Sequence, residues 1–596
     1  MREDLYGPLL GAEPRAETTR FALWTSQRRD CAVRVAQPGQ RPRTHVMSGS
    51  GDGLFEAEVE GVGHGARYEF VLDGIEVRDP YARFLPDGLE GPAAVCQSRY
   101  TWRHDLISRP LREHVIYELH IGTFTPEGSY QAAVEKLPLL AELGITALEL
   151  MPLGAFAGTR GWGYDGVAHY APFSPYGSPD ELRGFIDTAH GLGLAVFLDV
   201  VYNHFGPAGN VLPAFAPEYF NPDDQTPWGA APNFGHPAMR RYVVRNVRYW
   251  LEEFRFDGLR LDAVHAIRDR SPRHILAEIA DEVRTLQPRR LLIAEDDRND
   301  PQILEAYGFD AVWADDFHHQ VRVALTAERD GYYASYTGCA RDLARTIEHR
   351  WFYDGATFPL TGRARGAPAR TVPVEAFVYC IQNHDQIGNR AFGDRLTDAV
   401  SREALAAATM LLLFLPMTPL LFMGQEWAAS TPFLYFTDHA DELGAKVTEG
   451  RRAEFGSFAA FRDPASRTVI PDPQSRSTFE ASRLNWNERT VPDRANVLAL
   501  HQQMLRLRAT DPVLQSSDRA QSRAWSEANV LIVERWVERD VRRLVTNLSS
   551  EAAATPPIEG ARGDPQLMLA SMSLVDRREQ LPPRCALLLS YQRGRG

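Results

Sequence analysis

Four segments of the chain end in residues that can move protons or hold charge: Asp199 with Asn203 and His204, Arg260 with Asp262 and His265, Glu295, and His384 with Asp385. Arg260 and Asp262 are two residues apart in the apolar run 256–262, so on a strand they share a face. A guanidinium there holds the Asp262 carboxylate ionised, as a nucleophile requires. The same pair is also what a buried ion pair closing a barrel would look like. Glu295 follows the apolar run 291–294 and precedes Asp296 and Asp297. Desolvation and neighbouring negative charge raise its pKa, which suits a general acid. Asp385 is a third carboxylate. One ionised and one protonated carboxyl group across an oxocarbenium-like transition state is the requirement of glycoside cleavage. Taken singly, each acid is more often a helix cap or a loop ion pair than a catalyst; jointly, three at one mouth would be a costly cluster of like charge that a fold needing only stability has little reason to build.

The elements that must position these groups are strands. From about residue 110 the pattern is strand, loop, helix, repeated: apolar runs at 115–121, 145–150, 194–201, 256–262, 291–295, 311–314, 377–382 and 419–423, with helical patterns such as 181–190 and 239–254 between them. Eight such units predict a closed parallel (β/α)8 TIM barrel with helices outside and working residues at the C-terminal strand ends. The connection at 203–237 is long and rich in Pro, Gly and aromatics, as functional loops are. Residues 1–105 read as an N-terminal β-sandwich, 106–515 as the α/β catalytic barrel with an insertion after strand 3, and 516–596 as a C-terminal β-sandwich. Trp24 and Tyr68 offer either a sugar platform or core packing, and the latter is the commoner use of such rings.

Composition narrows the field. The 596 residues carry a net charge of −13 with only two lysines, Lys136 and Lys446. That excludes a basic nucleic-acid surface and leaves little room for Schiff-base chemistry. Five scattered cysteines give no C-x-x-C spacing, so neither a zinc site nor a disulfide framework is expected. Met1 to Asp4 lacks the start of a secretory leader, and the apolar stretch 410–422 is broken by Pro416 and Pro419. No membrane span is expected, and a cytoplasmic enzyme follows. Asp199, His204 and His265 have no metal-site spacing, and hydrogen bonds to sugar hydroxyls are the better use of them. Gly161-Trp162-Gly163-Tyr164-Asp165 offers two rings for stacking on a pyranose, or else a packed aromatic loop.

Asp199-x-x-x-Asn203-His204, Gly258-x-Arg260-x-Asp262, Ala294-Glu295 and Asn383-His384-Asp385 together resemble the four ordered motifs of the α-amylase superfamily, glycoside hydrolase family 13. The resemblance covers about 110–515, and the flanking domains look like the family's N-terminal carbohydrate-binding-type sandwich and its C-terminal β domain. It implies Asp262 as nucleophile, Glu295 as acid/base and Asp385 as transition-state stabiliser in a reaction that retains anomeric configuration. It also implies that His204, Arg260 and His384 bind the cleaved sugar with Tyr164 stacked beneath it; Asp199, His265, Gln386 and Asn389 join them as substrate contacts. No cofactor and no metal, the superfamily's calcium included, are expected. Three subfamilies compete: glycogen branching, isoamylase-type debranching, and the trehalose-releasing enzymes that cut the α-1,4 bond beside the terminal trehalose of maltooligosyltrehalose. Segments 294–301, 312–319 with 331–333, and 432–439 look most like the last. On that resemblance Asp315, Asp316, Phe317, His318 and His319 help recognise the trehalose end, and the partners are malto-oligosaccharides and trehalose. An inactive glucan-binding scaffold would show an eroded carboxylate, and all three are present.

Overall fold

The structure, a computed structural model, describes residues 9–27, 29–515, 521–572 and 580–594. Met1 to Asp4 and the border at 516 lie outside them. Eight parallel strands close into a barrel, β1 (Ile116–Leu119), β2 (Ala147–Leu150), β3 (Ala195–Val200), β4 (Gly258–Leu261), β5 (Leu291–Glu295), β6 (Ala311–Trp313), β7 (Phe377–Tyr379) and β8 (Thr418–Phe422). β8 pairs back onto β1 through Ile116 and Leu420. A helix follows each strand: α1 (Leu137–Leu143), α2 (Pro179–Gly191), α3 (Pro237–Glu253), α4 (Ile275–Arg284), α5 (Gln302–Glu305), α6 (Asp315–Thr326), α7 (Arg402–Phe414) and α8 (Pro492–Thr510). The expected fold class is thus the observed one. Strand 1 stops two residues short of the expected end, because the His120 ring bonds Thr123 Oγ1 and starts a helical turn at Ile121. α2 starts before its periodic run, because Ser178 and Glu181 form a reciprocal capping box with Pro179 in the first turn.

Alternation along the strands sorts the barrel interior into layers. Ile116, Ala147, Ala195, Phe197, Ile293, Ala311, Val378 and Leu420 pack as one apolar cluster in the lower interior. Gly258 is required there: a Cβ would lie 2.6 Å from the Leu291 carbonyl and 3.0 Å from the Phe197 ring. One step up each strand, at even spacing, come Glu118, Glu149, Asp199, Arg260 and Glu295, with Glu118 level with Glu149 and Asp199 level with Arg260. A polar layer on an apolar floor is what the period of two produces when each strand carries one charged residue near its end.

The flanking sandwiches brace this barrel. The N-terminal one packs Phe21, Leu23, Val33, Val35, Tyr68 and Phe70 between two sheets. Tyr68 is buried with its hydroxyl 2.7 Å from Asp79, and Trp24 lies against Tyr219 and His236, so both rings serve packing. This sandwich holds the insertion after β3, with Thr25 Oγ1 on the Phe215 carbonyl and Tyr81 on Tyr219. The insertion itself carries a hairpin, Phe220–Thr226 with Gly229–Pro232.

The C-terminal five-stranded sheet is fastened through arginines. Arg535 donates to the carbonyls of Phe414 and Leu514, and Arg584 to those of Ala324 and Leu325. Arg508 on α8 donates to Leu413, Leu415 and Met417. Those of Ala324, Leu325, Leu413 and Phe414 are carbonyls that the last turns of α6 and α7 leave without helical partners. Arg508→Met should therefore leave three buried acceptors unpaired and lower stability by about 2–4 kcal/mol. A thermal midpoint equal to wild type would show that the cap carries no load.

Candidate active site

The site is built around the guanidinium of Arg260, fully buried on β4. Nη1 donates to Asp199 Oδ2 at 2.6 Å and Asp262 Oδ1 at 3.1 Å, while Nη2 donates to Glu295 Oε2 at 2.8 Å. The Trp313 ring covers its face at 4.2 Å. Arg260 is therefore not a dedicated partner of Asp262, as the two-residue spacing alone suggested. Strand pairing brings β3, β4 and β5 side by side, so one planar fork serves a carboxylate from each.

The donors around each acid differ. Asp262 has one oxygen on Arg260 and the other 2.7 Å from the Asn203 amide. Glu295 receives both of its donors, Arg260 and the Ala263 N–H, on Oε2. Ala263 sits in the left-handed region at φ 37°, a strained conformation for a side-chain-bearing residue that turns its N–H toward Glu295. Asp385 is held by Asn389 Nδ2 at 3.0 Å, with His384 Nε2 3.4 Å away. Burial raises the pKa of all three acids, opposed in Asp262 and Glu295 by Arg260 and in Asp385 by His384. Both Asp262 oxygens are engaged by donors, whereas Glu295 keeps Oε1 for a proton. The arrangement thus favours an ionised Asp262 beside a protonated Glu295.

His384 forms the second fixed cation. Its Nε2 is 2.8 Å from the Tyr164 hydroxyl, and its Nδ1 bonds Glu118. Burial works against its charge, but Asp385 and Glu118 overcome that and push it up to about 10. Tyr164 stacks on His384 and donates to Asp199 at 2.5 Å.

Beside Asp385 opens a cavity of about 1330 Å3, bordered by Asp315, His319, Tyr332, Arg365, Gln386 and Asn389 among others. Such a volume suits a sugar of several rings. Burial, then Glu295 and Asp385, push Asp315 up to about 7. His265 stands near the rim, half-buried, with Nδ1 3.5 Å from Asp297. His265, Asp296 and Asp297 bring ligand atoms within 4.8 Å of one another, but Arg298 already takes both Asp296 oxygens.

Several expected contacts are corrected. Asp316 faces away from the cavity: it is fully buried, accepting from Asn299, Tyr336 and the N–H groups of Phe352 and Tyr353. Phe317 stacks on Tyr379, and His318 bonds the Ile381 carbonyl. A helix can turn only part of the 315–319 run to the cavity, so Asp315 and His319 line it and the other three hold the fold. Asp199 is 2 % exposed, behind Arg260 and Tyr164. His204 has its ring nitrogens at Asn203 and the Tyr164 carbonyl, and so supports Tyr164 rather than facing the cavity. Trp162 is buried against Phe433 with Nε1 on the Leu434 carbonyl, so only Tyr164 of that loop is open for stacking. Gly388 allows this, since a Cβ there would fall 2.1 Å from the Trp162 ring.

Other residues went unread. Glu118 and Glu149 were signalled only as lone acids inside apolar strands. Trp313 was signalled by its place at a strand end. Trp228, 42 % exposed on the inserted hairpin, stacks on His204 at 3.7 Å, and no local pattern marks it.

The chain matches two family models: the alpha amylase catalytic domain over residues 97–214, and carbohydrate-binding module 48 (isoamylase N-terminal domain) over 9–82. A malto-oligosyltrehalose trehalohydrolase of Deinococcus radiodurans is 50% identical over 558 residues, covering 92% of this chain and 91% of its own. A 1,4-alpha-glucan branching enzyme of Nocardia farcinica is 34% identical and covers only 43% of this chain and 38% of its own. A Salmonella typhimurium crystal structure assigned to the alpha amylases superposes with a TM-score of 0.89 at 38% identity, over 98% of this chain and 99% of that one. Pullulanases at 16–19% identity and TM-scores of 0.73–0.75 share the fold. The chain belongs to the malto-oligosyltrehalose trehalohydrolase family of the α-amylase superfamily.

Proposed function

We propose that this chain is a retaining glycoside hydrolase that cleaves the α-1,4-glucosidic bond next to the terminal trehalose of maltooligosyltrehalose, releasing trehalose and a malto-oligosaccharide. The observation that carries the reading is the shared Arg260 fork, which supports opposite protonation of two neighbouring acids. Asp262 attacks the anomeric carbon while Glu295 gives its proton to the glucosidic oxygen, and trehalose departs. Water then attacks the glycosyl-enzyme ester, Glu295 takes the water's proton, and Asp262 is regenerated with configuration retained. Asp385 stabilises the positive charge on the distorted ring. Tyr164 faces the cleaved glucose, with Arg260 and His384 buried behind it as the cations that set the charge of the acids, while Asp315, His319, Gln386 and Asn389 face the trehalose side.

We read the domain borders as 1–105, 106–515 and 516–596, on the grouping of strands into separate sheets. The cytoplasm and a place in trehalose formation complete the reading. All five cysteines are free, which supports a reducing compartment.

Incubation with maltopentaosyl-trehalose should release trehalose, and incubation with amylose should leave the chains unbranched. New branch points would replace hydrolysis by transfer. Asp262→Asn should lower kcat by about 10⁴-fold or more, as loss of a covalent nucleophile does, yet leave substrate binding measurable by calorimetry. A variant that binds and turns over like wild type would remove Asp262 from the mechanism. The Glu295 pKa is raised, and the acid works only while protonated, so activity should fall as pH rises through that pKa. Glu295→Gln should abolish that alkaline limb together with most of kcat, and an unchanged profile would contradict the role.

A further inference from the structure

The Glu118 carboxylate belongs to no sequence motif, yet it makes two bonds to one residue. It lies on β1, 1 % exposed, at the same level as Glu149 on β2. Oε2 accepts the His384 backbone N–H at 2.9 Å, and Oε1 bonds Nδ1 of the same imidazole. This bidentate grip fixes both the backbone entry into the helical turn His384–Gly388 and the ring orientation. It also leaves Nε2 directed at the Tyr164 hydroxyl and at Asp385.

We infer that Glu118 is a positioning residue for the reaction proposed above, one that keeps His384 doubly protonated so that its charge sets the ionisation of Asp385 and Glu295. A carboxylate at Nδ1 demands an N–H there; at Nε2 the Tyr164 oxygen, whose own proton goes to Asp199, and the Asp385 carboxylate are both acceptors, so both ring nitrogens carry protons. The charged groups around the imidazole divide clearly. Glu118 and Asp385 support its charge, while Arg260 opposes it. In return His384 lowers Asp385 and Glu295, as well as the deeper Glu149 and Asp199, and also lowers its imidazole neighbour His120. Desolvation and the neighbouring Asp199 push the Tyr164 phenol well above its ordinary range, so it stays neutral. Glu149 has no hydrogen-bond partner on either oxygen, and burial followed by the neighbouring Glu118 pushes its pKa well above the usual carboxylate range, which disfavours a second negative charge beside Glu118.

Glu118→Gln separates this role from packing. The amide carbonyl can still accept the His384 backbone N–H, but the amide nitrogen now donates toward Nδ1. His384 then keeps Nε2–H and loses its charge. Asp385 and Glu295 both lose a neighbouring cation, so both limbs of the pH–rate profile should move to higher pH. kcat at neutral pH should fall about 10- to 100-fold, by analogy with the loss when the carboxylate that orients a metal-bound histidine is removed, with KM changed less. A drop in kcat with both limbs in place would overturn the inference and leave Glu118 a packing residue. ¹⁵N-histidine spectra of the wild-type protein, with His384→Gln to identify the signal, supply a test that needs no Glu118 variant. An imidazolium signal for His384 at pH 8 is expected, and a neutral ring at pH 7 would overturn the proposal. Wild-type protein that releases no trehalose would instead sink the functional reading, while the spectra would still decide the state of His384.

Discussion

One guanidinium buried among three carboxylates is the constraint on which the rest of this molecule depends. Arg260 takes Asp199, Asp262 and Glu295 on two nitrogens of a rigid fork, under the face of Trp313. Desolvating such a cluster costs several kcal/mol per ion, and an apolar barrel interior would be at least as stable. The network is better understood as a device that fixes geometry and divides protons. With one cation among several acids, not all can ionise, and the local donors decide which does. Asp262 has two and Glu295 leaves one oxygen open. His384 adds a second cation, and Glu118 beneath it completes an alternating layer of charge on an apolar floor.

The surrounding domains matter because the layer tolerates little displacement. The N-terminal sandwich holds the insertion after β3 through Thr25 and Tyr81, and that insertion carries Trp228 to His204, which supports Tyr164. The C-terminal sheet grips the far ends of α6 and α7 with Arg584 and Arg535. α6 begins at Asp315 on the cavity, so its C-terminal anchorage and the cavity wall belong to one rigid element. Packing of this kind transmits position over a helix length because interiors are dense.

Much of this was legible in the residues. Apolar runs ending in Asp199, Arg260-x-Asp262 and Glu295 specify buried strands with charged tips, because the two-residue period leaves no other face for the acids. The closed barrel followed from eight such runs. What the spacing did not carry was the sharing of Arg260, since the third partner arrives through pairing of β4 with β5 rather than through sequence proximity. The 315–319 run misled for a related reason: its acids and imidazoles look alike in sequence, but a helix buries Asp316, Phe317 and His318 and turns Asp315 and His319 to the cavity. Glu118 stood one residue from the end of the first strand and drew no notice, because its partner lies 266 positions away.

Arg260→Lys separates charge from geometry at the fork, with kcat/KM and its pH dependence measured on maltopentaosyl-trehalose. An ammonium retains the charge but cannot serve three carboxylates at fixed angles. kcat/KM should fall at least about 10²–10³-fold, comparable to removing a preorganised transition-state donor, with a distorted pH profile. Near-wild-type kcat/KM in Arg260→Lys would show that charge alone suffices and that the shared fork does not organise the site.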